Sequence, residues 1–300
     1  MNCLVSVVIP SYGGGEFLAR AVESVLSQTY KNIEVIVVDD NGKGTDHQIE
    51  TEEKIAKYTN DSRFHYICHT VNKNGSAARN TGVKAAKGEY IALLDDDDVF
   101  YVDNIENHMK VWNGISTEYA LTYCSREMYR GDQLIDRNHV SRSGYLLYEV
   151  LMHDVTIGSS SLVIRKQVWE ELGGFDESFR RHQDWEFTAR VAAKYKVKAA
   201  DHVGFKRYLE FRNSPKSPET VIKYREHYLE KMAPLIATLP IEKQRDVLVK
   251  NRMDAAVQFL KKKDIKGFLK EWKRIKPGIR GFKHIIYVIK ARHARGKIDG

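Results

Sequence analysis

The chain has 300 residues, and 42% of them are hydrophobic, which is enough for a sizeable core and excludes a disordered chain. No apolar run approaches the ~20 residues of a membrane-spanning helix. The first five residues lack the basic segment of a signal peptide. The three cysteines are widely spaced, show no zinc-binding pattern, and indicate free thiols. We therefore expect a cytoplasmic protein.

The net charge of +8 is unevenly distributed along the chain. Residues 217–300 carry 21 Lys and Arg against 9 Asp and Glu, an excess of +12, so the rest of the chain carries −4. The basic character therefore belongs to the C-terminal third. The part that precedes it is slightly acidic.

The first hundred residues alternate between strand-like and helix-like segments. Apolar, β-branched runs predict buried strands at 5–10, 33–38, 64–68 and 90–94. Helical spacing predicts helices at about 17–26, 46–58 and 76–86, the last with Ser76 as its N-cap. This alternation predicts an α/β fold with a doubly wound, mostly parallel sheet flanked by helices.

The second half of the chain is more irregular. It predicts a helix at 102–112, strands at 120–124 and 160–164, a short helix ending at 172 and a helix at 185–195. The stretch 214–218 contains two prolines and two serines and indicates a linker. The pattern beyond it predicts helices only, at 221–235, 241–260, 265–275 and 282–291. We therefore expect one domain at 1–215 and a basic helical region at 216–300.

Four successive carboxylates, Asp95 to Asp98, follow the strand-like run that ends at Leu94. Asp39 and Asp40 end an earlier strand in the same way. The carboxyl ends of parallel strands meet at one edge of a sheet, where such folds bind ligands. Neighbouring carboxylates repel one another unless a cation joins them, and Mg²⁺ and Mn²⁺ prefer oxygen ligands. The alternative is a solvated acidic loop, which the position after a buried strand disfavours.

Arg79 lies in the first turn of a predicted helix, where backbone N–H groups and a guanidinium together suit a diphosphate. The alternative for Arg79 is an ordinary surface arginine. The glycines at 13–15 and the stretch Gly42-Lys43-Gly44-Thr45 match neither a dinucleotide fingerprint nor a P-loop. The sequence therefore does not predict an NTPase or a dehydrogenase.

With these motifs in order, the chain resembles the family 2 glycosyltransferases of GT-A fold over roughly residues 4–215. The resemblance is carried by blocks at residues 7–12, 24–30, 37–40, 74–82, 88–98, 173–177 and 182–187. It implies a nucleotide-binding half at 1–100 and an acceptor half at 101–215. It also implies inverting, metal-dependent transfer from a nucleotide-sugar to a glycan or lipid-linked saccharide in surface polysaccharide synthesis, with UDP-sugars as the first choice.

The resemblance also implies roles for individual residues. Asp97 would be the direct ligand of Mn²⁺ or Mg²⁺, and Asp184 would be the general base that inversion requires. Asp95 and Asp96 would lie at the ribose and metal side, and Arg79 would reach the diphosphate. The residues implied to hold the nucleobase and ribose of the donor are Pro10, Tyr12 and Asp40.

The chain departs from the family pattern at three places. The family often has asparagine where Gly13 stands and a different turn at 41–45, which leaves the loop details open. The usual glutamate before the base is Gln183, which leaves the tuning of the base open. An alternative role for Asp184 is a helix N-cap, and Glu186 is the next candidate for the base.

Two other functions stay open from the sequence. One is a sugar nucleotidyltransferase, although the loop after the first strand carries Glu16 where such enzymes want basic residues. The other is a nucleic-acid-binding protein using the basic C-terminal third, which the phosphate-repelling aspartates disfavour. We expect no nucleic acid partner. The basic, aromatic C-terminal helices suit peripheral binding to an anionic membrane surface, and the alternative is a packed appendage with a solvated basic face.

Overall fold

The computed structural model describes residues 2–13, 15, 17–209, 217–282 and 285–286. Nine strands within these ranges form one sheet with the order β3-β2-β1-β4-β8-β6-β9-β5, and β7 pairs with β6. The strands are β1 Val5–Ser11, β2 Ile33–Asp39, β3 Phe64–Cys68, β4 Tyr90–Leu93, β5 Asp98–Phe100, β6 Tyr119–Arg130, β7 Gln133–Arg137, β8 Leu162–Arg165 and β9 Lys196–Tyr208.

Helices connect the parallel strands and flank the sheet. They are α1 Leu18–Leu26, α2 Asp46–Ile55, α3 Gly75–Ala85, α4 Asn104–Trp112, α5 Leu147–Leu151, α6 Lys166–Glu171, α7 Gln183–Lys194, α8 Pro218–Ala237, α9 Ile241–Lys261 and α10 Ile265–Ile275. None of the helices in the described ranges is both long and apolar enough to span a bilayer. Of the predicted helix at 282–291, only residues 282, 285 and 286 are among those described.

The predicted α/β fold with helices around a largely parallel sheet is confirmed. Strands β3, β2, β1 and β4 are mutually parallel, as the alternation of strands and helices predicted. β8 then runs antiparallel to β4 and to β6. The sequence analysis missed β5, β7, β9 and α5, because lysine and arginine side chains interrupt the apolar pattern of β9 and the other three are five residues or shorter.

A core of buried apolar residues lies between the central strands, α1 and α4. Every residue of β1 and β2 is buried, because helices cover the sheet on both faces. α3 approaches β1 so closely that a Cβ on Gly82 would lie 2.3 Å from Cγ1 of Val8. Glycine is therefore required at this position, because the last turns of α3 pack directly against β1.

The chain divides into two compact units. The first contains residues 1–146 and 155–210, and the second contains residues 147–154 and 211–300. The second unit has a small core of its own between α9 and α10, formed by Val249, Met253, Ala256, Phe259 and Phe268 with Trp272 packed against it. The division near residue 215, and the two halves of the first domain, stay predictions.

Candidate active site

Three carboxylates gather just beyond the end of β4. One oxygen from each of Asp95, Asp97 and Asp98 lies within 4.8 Å of the others. The chain turns tightly here, because the backbone N–H of Asp98 donates to the carbonyl oxygen of Asp95 at 3.1 Å. The sharp turn, rather than the run of acids alone, therefore brings the first, third and fourth carboxylates of the run together.

Asp98 is the buried member of this group. Its Oδ2 accepts a 2.6 Å hydrogen bond from Oγ of Ser160, which in turn accepts from the backbone N–H of Asp95 at 3.1 Å. Burial first, and then the charges of Asp95 and Asp97, raise the pKa of Asp98 well above its usual range. Three carboxylates at this spacing thus cannot all be ionised cheaply without added positive charge.

Arg79 supplies part of that charge. Its guanidinium is buried and pairs through Nη2 with Oδ1 of Asp95, while Nη1 donates to the carbonyl oxygen of Gly75 at 3.0 Å. Its Nε has no hydrogen-bond partner among the described residues. A buried donor without a partner costs about 1–3 kcal/mol, so an anionic ligand at this point would relieve a real penalty.

The helix that carries Arg79 begins differently from the prediction. Its N-cap is Asn74, not Ser76, because the Asn74 side chain accepts from the backbone N–H groups of Ser76 and Ala77. The Ser76 hydroxyl instead donates to the carbonyl oxygen of Phe179. Asn74 has a φ of 84°, which is strained for any residue but glycine.

Asp40 holds this strained residue in place. Its Oδ1 accepts from His69 Nδ1 and the backbone N–H of Lys73, and its Oδ2 accepts from the Asn72 side chain and the backbone N–H of Asn74. A carboxylate offers about four acceptor positions, so these donors fill it. A nucleoside could reach this carboxylate only by sharing or replacing one of them. The predicted nucleoside contact of Asp40 stays a prediction.

The other residues predicted to hold the nucleoside lie around the end of β1. Pro10 is buried beside Val38 of β2, and Tyr12 follows the strand with its ring exposed. The backbone N–H of Tyr12 donates to Oδ2 of Asp96 at 3.3 Å. The side chain of Asp96 is thereby turned towards β1, and Asp96 is not a member of the three-carboxylate group.

Asp184 approaches the same group of charges from α7. It is the second residue of that helix, whose N-cap is His182, so Asp184 is not the N-cap. Its Oδ1 accepts from the backbone N–H of Trp185 at 3.0 Å. Burial first, and then the charge of Asp95, raise the pKa of Asp184 from 3.8 to about 6, although Arg79 and Arg207 oppose the rise. A carboxylate with such a pKa can exchange protons near neutral pH.

Glu186, the next candidate for a base, has another role in the structure. Both of its oxygens accept from Arg190, at 2.5 and 2.8 Å, and Arg190 also donates to the carbonyl oxygens of Leu172 and Gly174. Glu186 therefore anchors α7 to the segment that precedes it. Asp184 forms no ion pair with any residue that the structure describes, so the two acids of this helix differ in their environment.

The sequence analysis did not select Asp98, Ser160 or Arg207. Asp98 was part of the acidic run, but nothing in a run of four aspartates shows which one becomes buried. Ser160 lies in a short helical turn, 159–161, before β8, and Arg207 pairs in register with Asp98 across β5 and β9. Neither residue stands in a sequence pattern that points to the site.

The donor set of this group fits a hard divalent cation. Carboxylate oxygens are the ligands that Mg²⁺ and Mn²⁺ prefer, and Arg79 is paired with one of the three gathered acids, Asp95. Asp97 and Asp95 are the partly exposed members, and Asp98 is the buried one. Burial and the neighbouring charges disfavour the ionised form of Asp98, and a bound cation would stabilise that form.

Comparison with known protein families identifies the family of this chain. The model of a family described as Glycosyl transferase family 2 matches residues 6–200, which is more than half of the chain. The chain belongs to this family. An uncharacterized glycosyltransferase of Rickettsia prowazekii is 32% identical over 195 residues, covering 61% of this chain and 57% of that protein.

Other family members extend the comparison. A glucosyltransferase of Escherichia coli, named for UDP-Glc and α-D-GlcNAc-diphosphoundecaprenol, is 28% identical over 182 residues, covering 61% of this chain and 67% of that one. The matched region covers 57%, 60% and 28% of three rickettsial relatives. The chain therefore spans less than two thirds of the length of these relatives.

Solved structures share the fold at low identity. Residues 1–349 of Staphylococcus aureus TarS in complex with UDP-GlcNAc superpose with a TM-score of 0.62 at 14% identity, covering 91% of this chain and 92% of that one. A mannosyltransferase of Pyrobaculum calidifontis in complex with GDP-Man and Mn²⁺ gives a TM-score of 0.61 at 15% identity, covering 94% and 86%. At 14% and 15% identity, these similarities show a shared fold and no more.

The raised pKa of Asp184 predicts an effect of pH on stability. Because the folded protein holds this proton more tightly than the unfolded chain, ionised Asp184 destabilises the fold above pH 6, and the effect disappears as the pH falls below about 4. In metal-free protein, Asp184→Asn should raise Tm by a few degrees at pH 8, and the gain should shrink towards pH 5. Thermal unfolding followed by circular dichroism measures both.

Glu186→Gln is the matched control on the same helix. It removes a charge that is paired with Arg190, so it should lower Tm at pH 8 rather than raise it. An Asp184→Asn variant that is less stable than the parent at pH 8 would show that the environment of Asp184 favours its charge.

Proposed function

We propose that this family 2 glycosyltransferase moves a sugar from a nucleotide-sugar to a hydroxyl group of a glycan or lipid-linked saccharide, with inversion at the anomeric carbon. The observation that carries the proposal is that a carboxylate with a raised pKa lies near a group of carboxylates paired with an arginine. Burial raises the pKa of Asp184 to about 6, while Arg79 and the three gathered carboxylates offer groups that could hold a diphosphate with a cation.

The donor end of the site rests on Arg79 and the acidic group. A divalent cation held by Asp97 with Asp95 and Asp98 would neutralise charge on the departing nucleoside diphosphate. Arg79 would do the same, since its Nε–H has no partner among the described residues and a guanidinium binds phosphate oxygens well. Asp40 accepts hydrogen bonds from the loop directly before α3, and these bonds help to hold Arg79 of that helix in position.

The acceptor end rests on Asp184. Its Oδ1 accepts from the backbone, so Oδ2 is the oxygen that takes the proton of the attacking hydroxyl. Oδ2 points towards Gly158, where a Cβ would lie 3.9 Å away, so no side chain crowds it from that residue. One base that activates the acceptor, with the leaving group on the other face of the sugar, gives a single displacement and therefore inversion.

The comparisons favour UDP-sugars and a role in surface polysaccharide synthesis. The E. coli relative is named for a UDP-sugar and a diphosphoundecaprenol-linked acceptor, and a Bacillus subtilis relative is named for teichuronic acid biosynthesis. GDP-Man in the Pyrobaculum neighbour makes GDP-sugars the second choice. Family membership favours glycosyl transfer over nucleotidyl transfer.

A kinetic test separates these functions. A panel of UDP- and GDP-sugars with Mn²⁺ should release a nucleoside diphosphate with one donor, whereas a nucleotidyltransferase would release pyrophosphate from a nucleoside triphosphate. With that donor, Asp184→Asn should lower turnover at least about 10²-fold while UDP affinity, measured by calorimetry, stays nearly unchanged. The control is Asp103→Asn, the same substitution at an exposed carboxylate of the same unit.

Turnover within a few-fold of the parent in Asp184→Asn would place the base elsewhere. Loss of UDP affinity together with turnover would instead assign Asp184 to donor binding.

We further propose that the C-terminal helices hold the enzyme at an anionic membrane surface. Phe268 and Trp272 pack inside the second unit. For these two residues the alternative of a packed helical appendage therefore holds. Four other apolar residues of this region, however, have at least half of their surface exposed: Leu269, Ile279, Phe282 and Ile286. They lie among lysines and arginines in the sequence. Each basic residue near an anionic leaflet contributes up to ~1 kcal/mol, so several suffice for peripheral binding.

Exposed apolar residues make a sharper test than truncation, because residues after Lys261 also contribute to the core of the second unit. The full chain should sediment with anionic liposomes at low salt and not with neutral ones. Leu269→Gln with Phe282→Gln should weaken this binding several-fold, while Ile49→Gln, an exposed apolar residue of the first unit, should not. Equal binding of all three proteins, or none by the parent, would rule out the proposed surface.

A further inference from the structure

A second cluster of metal-ligating side chains lies apart from the acidic site, between α4 and two strands. His108 of α4, Cys124 of β6 and His202 of β9 each offer one nitrogen or sulfur atom, and these atoms lie within 4.8 Å of one another. His108 and Cys124 are buried, and His202 is partly buried. The three residues are far apart in the sequence, and no part of the proposed transfer reaction uses them.

Hydrogen bonds fix which nitrogen of each imidazole is protonated. The Thr122 hydroxyl donates to the carbonyl oxygen of Val163, so it accepts from Nδ1–H of His108 at 2.8 Å. The Asn104 amide oxygen can only accept, so Nε2–H of His202 donates to it at 2.9 Å. The lone pairs that stay open are those of Nε2 on His108 and Nδ1 on His202. Imidazoles that bind metals are oriented in this way by a second hydrogen bond.

Nε2 of His108 is buried and has no hydrogen-bond partner among the described residues. A packed core pair is the alternative, and the rings do meet edge to face at 5.0 Å. Edge-to-face packing, however, leaves the buried Nε2 unsatisfied, and an unmet buried acceptor is destabilising.

A glycine allows β9 to pack closely against the cluster. A Cβ on Gly204 of β9 would lie 2.4 Å from Sγ of Cys124 and 2.1 Å from Oδ1 of Asn104, so any side chain there would collide with a ligand atom and with the residue that orients His202. Glycine at this position thus preserves both the cluster and its outer hydrogen bond.

We propose that His108, Cys124 and His202 bind one Zn²⁺ ion, which joins α4 to β6 and β9. Two imidazole nitrogens and one thiolate are a donor set for zinc and not for Mg²⁺ or Mn²⁺, which prefer the oxygens of the acidic site. The thiol proton of Cys124 passes to solvent when the ion binds, because thiolate is the ligand. The fourth position of the ion is taken by a water molecule.

Cobalt substitution tests the site with a direct spectroscopic readout. Full-length protein treated with a chelator and then titrated with Co²⁺ should develop a thiolate-to-cobalt charge-transfer band and the visible bands of four-coordinate cobalt, saturating at one ion per chain. Cys124→Ala should abolish the charge-transfer band. Cys68→Ala, which removes a partly buried thiol elsewhere in the same unit, should keep it, and so should Asp97→Ala, which alters the acidic site.

A second variant and a second measurement cover the case in which Cys124→Ala does not fold. His202→Gln should weaken Co²⁺ binding, followed by the charge-transfer band, at least tenfold. With the acidic site altered in both proteins, Zn²⁺ should raise Tm of Asp97→Ala but not of the double variant Asp97→Ala with His202→Gln. A parent chain without a charge-transfer band would overturn the proposal. A band that survives Cys124→Ala and disappears in Cys68→Ala would do the same.

Discussion

Negative charge is concentrated just beyond β4, where a tight turn gathers Asp95, Asp97 and Asp98 and where Asp184 of α7 lies close enough to be affected by Asp95. Two arginines among the described residues, Arg79 and Arg207, place positive charge near these acids. Much of the local structure serves to keep these groups in place against their repulsion. The buried Ser160 hydroxyl links Asp95 to Asp98, and Asp40 holds Asn74 at the start of α3.

The two acidic strand ends are used differently. The sequence analysis placed Asp39 and Asp40 with the later aspartates in one crevice. In the structure, Asp39 accepts from Asn41 and Tyr66, and Asp40 is filled by four donors of the 69–74 loop. Both carboxylates at the end of β2 therefore stabilise loops, including the strained Asn74 that caps α3. Among the acids after β4, Asp95 pairs with Arg79, and Asp98 accepts from the Ser160 hydroxyl.

The sequence predicted the parallel half of the sheet and the acidic run well, because buried parallel strands are continuous apolar runs and their ends are marked by charge. It could not predict the details that depend on three-dimensional contact. The N-cap of α3 is Asn74 because Asp40, 34 residues earlier, holds its N–H. Asp98 rather than Asp96 becomes buried because of the turn. The histidine and cysteine cluster has no zinc-like spacing, since β6 and β9 are neighbours only in the folded sheet.

The central claim is that the carboxylates beyond β4 form a cation-dependent site for a nucleoside diphosphate. Calorimetric titration of UDP into the parent and into Asp97→Ala, each with and without Mn²⁺, tests it most directly, with Asp103→Asn as the control. The account predicts that Mn²⁺ raises UDP affinity in the parent and in the control at least tenfold, and has little effect in Asp97→Ala. Metal-dependent UDP affinity that is unchanged in Asp97→Ala would contradict it.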